Sequence, residues 1–217
     1  MSLPLRILVV DDHAVVRRGV RSLLESREGW EVCGEATNGR DAVEQTGRLR
    51  PDVVVMDLSL PELNGLDATR QILKEAPGTE VLVLTMHHSE ELARDVLQAG
   101  ARGYLLKSDA DENLIAAVDS LRQHKPFLTS TVTEFVLGDY IRRGDAAQDD
   151  FALAVTARER EIIQLVAEGR SSKEAASTLG VSVKTIEAHR ANIMRKLHLR
   201  SVSDLVRYAI RNRIVQP

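Results

Sequence analysis

Two aspartates, a threonine and a lysine each directly follow a short apolar run, and a third aspartate stands next to the first. Ile7–Val10 leads into Asp11 and Asp12, Val53–Met56 into Asp57, Val81–Leu84 into Thr85, and Leu105–Leu106 into Lys107. Clustered carboxylates repel one another unless a cation sits among them. All-oxygen donors suit a hard divalent ion, most simply Mg2+, with Mn2+ an acceptable substitute. A lone aspartate after an apolar run would read as a solvated loop charge. Five such groups at the ends of four runs read as a functional site.

The elements that must bring these residues together are parallel strands. The first three runs are rich in β-branched residues, Gly103–Leu106 is weaker, and a more mixed fifth at Trp30–Ala36 fits an edge strand. Between them lie segments of helical apolar spacing, such as Val16, Val20, Leu23 and Leu24, or Leu66, Thr69, Ile72 and Leu73. Near-continuous apolar strands alternating with helices predict a parallel sheet covered on both faces. In such a sheet the C-terminal strand ends share one edge, where ligands bind at the topological switch point.

This arrangement resembles the receiver domain of two-component response regulators over roughly Leu5 to His124. The resemblance is carried by Asp11-Asp12, by Asp57 in the stretch running to Pro61 and Gly65, by Thr85, and by Lys107 at the end of Gly103-Tyr-Leu-Leu. It implies a flavodoxin-like (βα)5 fold in which Asp57 accepts a phosphoryl group from a histidine kinase. It further implies that Asp12, Asp57 and the Ser59 carbonyl bind Mg2+ directly, with Asp11 acting through water. Lys107 and Thr85 would contact the phosphoryl group, and Thr85 with Tyr104 would form the switch. From the residues alone, Tyr104 reads equally well as a static aromatic in a strand. Ser59 and His87 would border the attacking water and tune dephosphorylation. The surface from about Glu90 to Leu121 would carry the change outward. Ser108 stands where many receivers have proline, so a cis-proline turn is not expected there.

The chain's net charge of −3 conceals an asymmetry. Residues 151–217 hold 12 Lys+Arg against 6 Asp+Glu, leaving 17 against 26 for the rest. An acidic front and a basic back indicate two modules, the second suited to a polyanion. The hydrophobic fraction of 43% is that of ordinary globular protein, and no apolar run approaches the roughly 20 residues of a membrane span. The single cysteine, Cys33, excludes an internal disulfide and fits a reducing cytoplasm. We therefore expect a cytoplasmic protein without a membrane partner. Its parts would be a receiver at 1–124, a linker at 125–150 with a helix over 130–143 and a tether at 144–150, and a basic second domain at 151–217.

That last module shows its helix starts in sequence. Thr156-Ala-Arg-Glu159 and Ser171-Ser-Lys-Glu174 match the capping box, Ser201-Val-Ser-Asp204 is a similar start, and Gly180-Val-Ser182 fits a tight turn ending in an N-cap. Helices are predicted over about 156–168, 171–179, 182–197 and 201–212. In the third, Ile186, Ile193 and Leu197 form a core face, while Lys184, Ala188, Ala191 and Arg195 lie opposite. A stripe with small residues at its centre and cations at its ends can enter a major groove.

The segment from Thr156 to Val215 resembles the LuxR-type helix-turn-helix, an all-α four-helix domain, with Val155 in place of the usual opening leucine. With the receiver, the whole chain resembles a NarL/FixJ-type regulator. That resemblance implies base-edge contacts from Glu187, Ala188 and Ala191, and phosphate contacts from Lys184, Arg190, Arg195 and Lys196, with His189 structural. It also implies a homodimer when phosphorylated, made through Leu205, Val206 and Ala209, on a double-stranded operator with half-sites about one helical turn apart.

Three other readings are weaker. A haloacid-dehalogenase-like phosphatase wants a second aspartate at the position of Ser59. A flavodoxin-like cofactor binder wants a phosphate loop after the first strand. A phosphorylation-independent DNA-binding protein would have no need of the complete acidic site. The chain thus reads as a regulator rather than an enzyme, its receiver assisting its own Mg-dependent phosphotransfer and dephosphorylation.

Overall fold

In the computed structural model the described residues are 3–86, 89–129, 132–133 and 155–216. The expected linker helix at 130–143, apart from residues 132–133, the tether at 144–150, and His87 lie outside them. The chain folds as two units.

The first unit alternates strand and helix. Its elements are β1 (Leu5–Val10), α1 (Ala14–Glu25), β2 (Trp30–Ala36), α2 (Gly39–Leu49), β3 (Val53–Met56), α3 (Gly65–Glu75), β4 (Glu80–Thr85), α4 (Glu90–Gln98), β5 (Gly103–Leu106), α5 (Ala110–Arg122) and β6 (Phe127–Leu128). All pairings are parallel, in the order β2-β1-β3-β4-β5-β6. The short sixth strand extends the expected five-stranded sheet beyond β5.

Side chains alternate between the two faces. On one, Ile7, Val9, Val53, Val55, Leu82, Leu84 and Leu105 pack with Val20 and Leu24 of α1 and Leu114, Val118 and Leu121 of α5. The intervening Leu8, Val10, Val54, Met56 and Val83 are equally buried on the other, which explains why these strands read as unbroken apolar runs.

Strand order reverses between β1 and β3, because β2 lies outside β1 and the later strands lie beyond β3. Register then fixes the neighbours at that edge. Val10 pairs with Met56, so Asp11 and Asp57 emerge side by side, and the Asp57 amide donates to the Val10 carbonyl at 2.9 Å. Thr85 pairs with Leu106, one residue before Lys107.

The second unit contains α6 (Ala157–Ala167), α7 (Ser172–Leu179), α8 (Val183–Lys196) and α9 (Val202–Arg211). Both predicted capping boxes are present, Thr156 with Glu159 and Ser171 with Glu174. Ser182 and Ser201 accept from the amides of Thr185 and Asp204, satisfying donors that helix geometry leaves orphaned. Gly180 ends α7 at φ +63°, a left-handed conformation that turns the chain toward α8 at little steric cost. The core gathers Ile162, Leu165, Ala175, Leu179, Ile186, Ile193, Leu205 and Ala209, and Val155 joins it.

Candidate functional site

The side chains at the carboxyl edge of the sheet form one charged cluster. Lys107 Nζ lies 2.7 Å from Asp11 Oδ2 and 2.9 Å from Asp57 Oδ2, bridging the two carboxylates. Both carboxylates are almost fully buried, at 3% side-chain exposure. Asp57 Oδ1 accepts from the Leu58 amide at 2.8 Å, and Asp11 Oδ1 from the His13 amide at 2.8 Å. Asp12 is more open, and its Oδ1 lies 2.6 Å from His13 Nδ1.

Burial pushes the Asp57 carboxyl above its ordinary value, and the like charge of Asp11 adds to that, against the opposing charge of Lys107. For Lys107, burial works against the ammonium, but its hydrogen bond to Asp11 and the charge of Asp57 prevail and raise it. Two carboxylates facing one ammonium leave excess negative charge in a low-dielectric place.

The residues present fit a divalent cation. Asp11, Asp12, His13 and Asp57 each offer a ligand atom, and these atoms lie within 4.8 Å of one another. Three of the four donors are carboxylate oxygens, as a hard ion prefers.

α3 crowds this edge. A Cβ at Gly65 would lie 1.9 Å from the Asp57 carbonyl oxygen, so only glycine lets α3 start there. Thr85 is fully buried at the end of β4. Tyr104 of β5 is 1% exposed, and burial raises its hydroxyl to about 12. Ser59 is half-buried in the turn after Asp57. Lys107–Asp109 form a single 3-10 turn.

The fold therefore brings Asp11, Asp57 and Lys107 into contact, sets a carboxylate oxygen of Asp12 within 4.8 Å of those of Asp11 and Asp57, and pairs Thr85 with the residue before Lys107. Sequence reasoning missed His13 and Arg17. The first follows the aspartate pair directly. Arg17 sits in the first turn of α1, whose side chains lean toward the helix start and so back to the site.

On α8, Lys184, Glu187, Ala188, Ala191, Asn192, Arg195 and Lys196 are exposed, while Ile186 and Ile193 are buried. Arg190 is half-buried and its Nη1 donates to the Ser172 hydroxyl at 2.9 Å, near the start of α7. Lys196 Nζ pairs with Glu159 at 2.8 Å, and Arg195 donates to Asn192 Oδ1 at 2.9 Å. His189 is half-buried and, with Ser182, Lys184, Thr185, Ala188 and Asn192, lines a shallow concavity along the helix.

The residues expected to supply a dimer contact are largely interior. Leu205 and Ala209 are 3% and 0% exposed and belong to the core of the helical unit, with Val206 half-buried. The apolar side chains on the outside of α9 are instead Val202 and Ile210.

Comparison with known proteins agrees with both units. Residues 7–119, just over half the chain, match the response regulator receiver domain, and residues 154–209 match the bacterial regulatory proteins of the luxR family. The oxygen regulatory protein NreC of Staphylococcus epidermidis is 40% identical over 98% of this chain and 100% of its own length. A two-component response regulator of the LuxR family from Aurantimonas sp. superposes with a TM-score of 0.61 at 33% identity, covering 64% of this chain and 99% of that one. The two-component response regulator RcsB in complex with DNA gives a TM-score of 0.59 at 27% identity over 94% and 97% of the two chains. A site-bearing parallel sheet, a helix-turn-helix unit and full-length relatives converge: the chain belongs to the NarL/FixJ-type two-component response regulators, which join a receiver domain to a LuxR-type DNA-binding domain that controls transcription.

Proposed function

We propose that Asp57 is the phosphoryl acceptor and that its modification controls operator binding by the helix-turn-helix domain. The carrying observation is Lys107 bridging the buried Asp57 and Asp11 at the switch point of the sheet. In the transfer, a carboxylate oxygen of Asp57 forms a bond to phosphorus while the bond from phosphorus to a phosphohistidine nitrogen of the kinase breaks. Such transfer depends mostly on alignment and charge neutralisation.

Asp12, Asp57 and the Ser59 carbonyl would hold a divalent ion, Mg2+ or Mn2+, with Asp11 acting through water. When bound, that ion neutralises charge on the transferring oxygens. Lys107, already an ammonium donor to Asp57, turns toward the phosphoryl oxygens it gains. Thr85 donates a hydrogen bond to them, and Tyr104 fills the space the hydroxyl leaves. Ser59 and His87 tune the lifetime of the product. Phosphorylation makes Asp57 roughly one charge unit more negative, which alters the field across the sheet edge.

The helical unit supplies the output. Ala188 and Ala191 let α8 approach base edges alongside Glu187, while Lys184, Arg190, Arg195 and Lys196 serve phosphates. Lys196 exchanges Glu159 for a phosphate on binding. A homodimer forms on phosphorylation, and the exposed Val202 and Ile210 offer α9 an apolar surface for it. We place the receiver at 1–124 and the DNA-binding domain at 151–217, joined by the linker 125–150. The protein works in the cytoplasm, where its operator lies; among the described residues no helix is long and apolar enough to cross a membrane.

Intact-mass measurement after incubation with acetyl phosphate and Mg2+ tests this reading. One phosphoryl adduct is expected on the wild type and none on Asp57→Asn. A folded wild type that takes no adduct, beside a competent control, would overturn it.

A further inference from the structure

Arg17 lies one helical turn into α1, its amide donating to the His13 carbonyl at 3.0 Å. Its guanidinium reaches in two directions. Nε donates to Glu35 Oε2 at 2.7 Å, and Nη1 donates to the carbonyl oxygen of Asp11 at 2.9 Å. The side chain is only 16% exposed. Glu35, one residue from the end of β2, also receives Arg21 Nη1 at 2.7 Å, and Arg21 in turn pairs with Glu25 at 3.0 Å. Arg21 first and Arg17 second hold the Glu35 carboxyl below its ordinary value, so it stays ionised as an acceptor.

The carbonyl that Arg17 holds belongs to the peptide joining Asp11 to Asp12. A peptide unit is planar, so holding that oxygen restrains the plane from which both carboxylates project. The Asp11 amide is held by the Ala36 carbonyl at 3.1 Å, so Arg17 restrains the other side of the same residue's backbone. The acceptors of Arg17 come from two strands, the carbonyl just past β1 and the carboxylate of β2. An arginine fork can serve both at once, whereas a lysine offers one compact charge.

We propose that Arg17, oriented by Glu35, is a positioning residue for the divalent-ion centre, setting the Asp11–Asp12 peptide so that the Asp12 carboxylate meets the ion directly and the Asp11 carboxylate meets it through water. This inference rests on the reading of Asp11, Asp12 and Asp57 as a cation site. Groups that orient metal ligands commonly change affinity by roughly 10- to 100-fold when removed.

The test is Mn2+ titration of the full unphosphorylated chain, with free ion followed by electron paramagnetic resonance and Mg2+ used as competitor. Wild type, Arg17→Lys, Arg17→Ala and Arg21→Ala would be compared, with denaturant midpoints measured in parallel. Both Arg17 variants are expected to bind Mn2+ about tenfold or more weakly. Arg21→Ala removes part of the same ion-pair network but leaves the Asp11 carbonyl held, so it should change affinity less than about threefold. A folded Arg17→Lys that binds Mn2+ like the wild type would overturn the proposal. So would Arg17→Ala and Arg21→Ala losing affinity alike, in step with their stability. If the wild type itself binds no Mn2+, it is the cation-site reading that fails, and the inference falls with it.

Discussion

At the scale of single residues, the acidic centre is held by contacts that leave little slack. Gly65 meets the Asp57 carbonyl so closely that one methyl group displaces α3 or the acceptor strand. Gly65→Ala is therefore expected to lower stability by about 1–3 kcal/mol, the usual range for overpacking, and to slow phosphoryl uptake at Asp57. Chemical denaturation and adduct formation measured on one preparation would check both. Glu35 supplies a pH dependence. Its folded carboxyl titrates below the ordinary 4.5 because of Arg21 and Arg17, so its stabilisation is present above that value. It is lost as pH falls through the lowered folded value. Glu35→Gln should accordingly be less stable than wild type at neutral pH, with the gap closing below about pH 4.5. A gap constant from neutral to acid pH would show that the ionised carboxylate contributes nothing. The aspartates and Lys107 were legible because each follows an apolar run. The part played by Arg17 was not, because its partner Glu35 is 18 positions away and only the β1–β2 pairing brings them together.

At the scale of elements, the sequence carries most of the positioning information. β3 is VVVM and wholly buried, which marks a central strand, and the register of Val10 with Met56 follows from placing that strand beside β1. The starts of the four C-terminal helices were legible because caps are local chemistry. Two features were not. β6 has two residues, too few for any period to show. On α9 the apolar residues cover a broad arc, and packing against α6 decides which point inward; Leu205 and Ala209 do, whereas Val202 and Ile210 do not. Because Ile193 is fully buried beneath the exposed face of α8, Ile193→Ala should cost about 2–5 kcal/mol and loosen the presentation of Ala188 and Ala191. Ser182→Ala, which removes the cap of α8, should cost about 1 kcal/mol. Thermal unfolding of both variants would test the order, and a cap loss exceeding the core loss would contradict it.

At the scale of the whole molecule, the chain couples an acidic receiver to a basic helical unit, and the two differ in what they bind. The helical segment's excess of cations gives operator binding a strong salt dependence, since each phosphate contact releases counterions. Lys184→Ala should weaken binding to all DNA sequences and flatten that dependence, whereas Ala191→Leu should disturb close approach to the operator at any salt. The central claim is that phosphorylation of Asp57 controls DNA binding. It is tested most directly by operator affinity at one fixed salt concentration for three samples: phosphorylated wild type, unphosphorylated wild type and Asp57→Asn treated with phosphodonor. We expect only phosphorylated wild type to bind tightly, with the other two weak and alike. Treated Asp57→Asn binding as tightly as phosphorylated wild type would contradict the account.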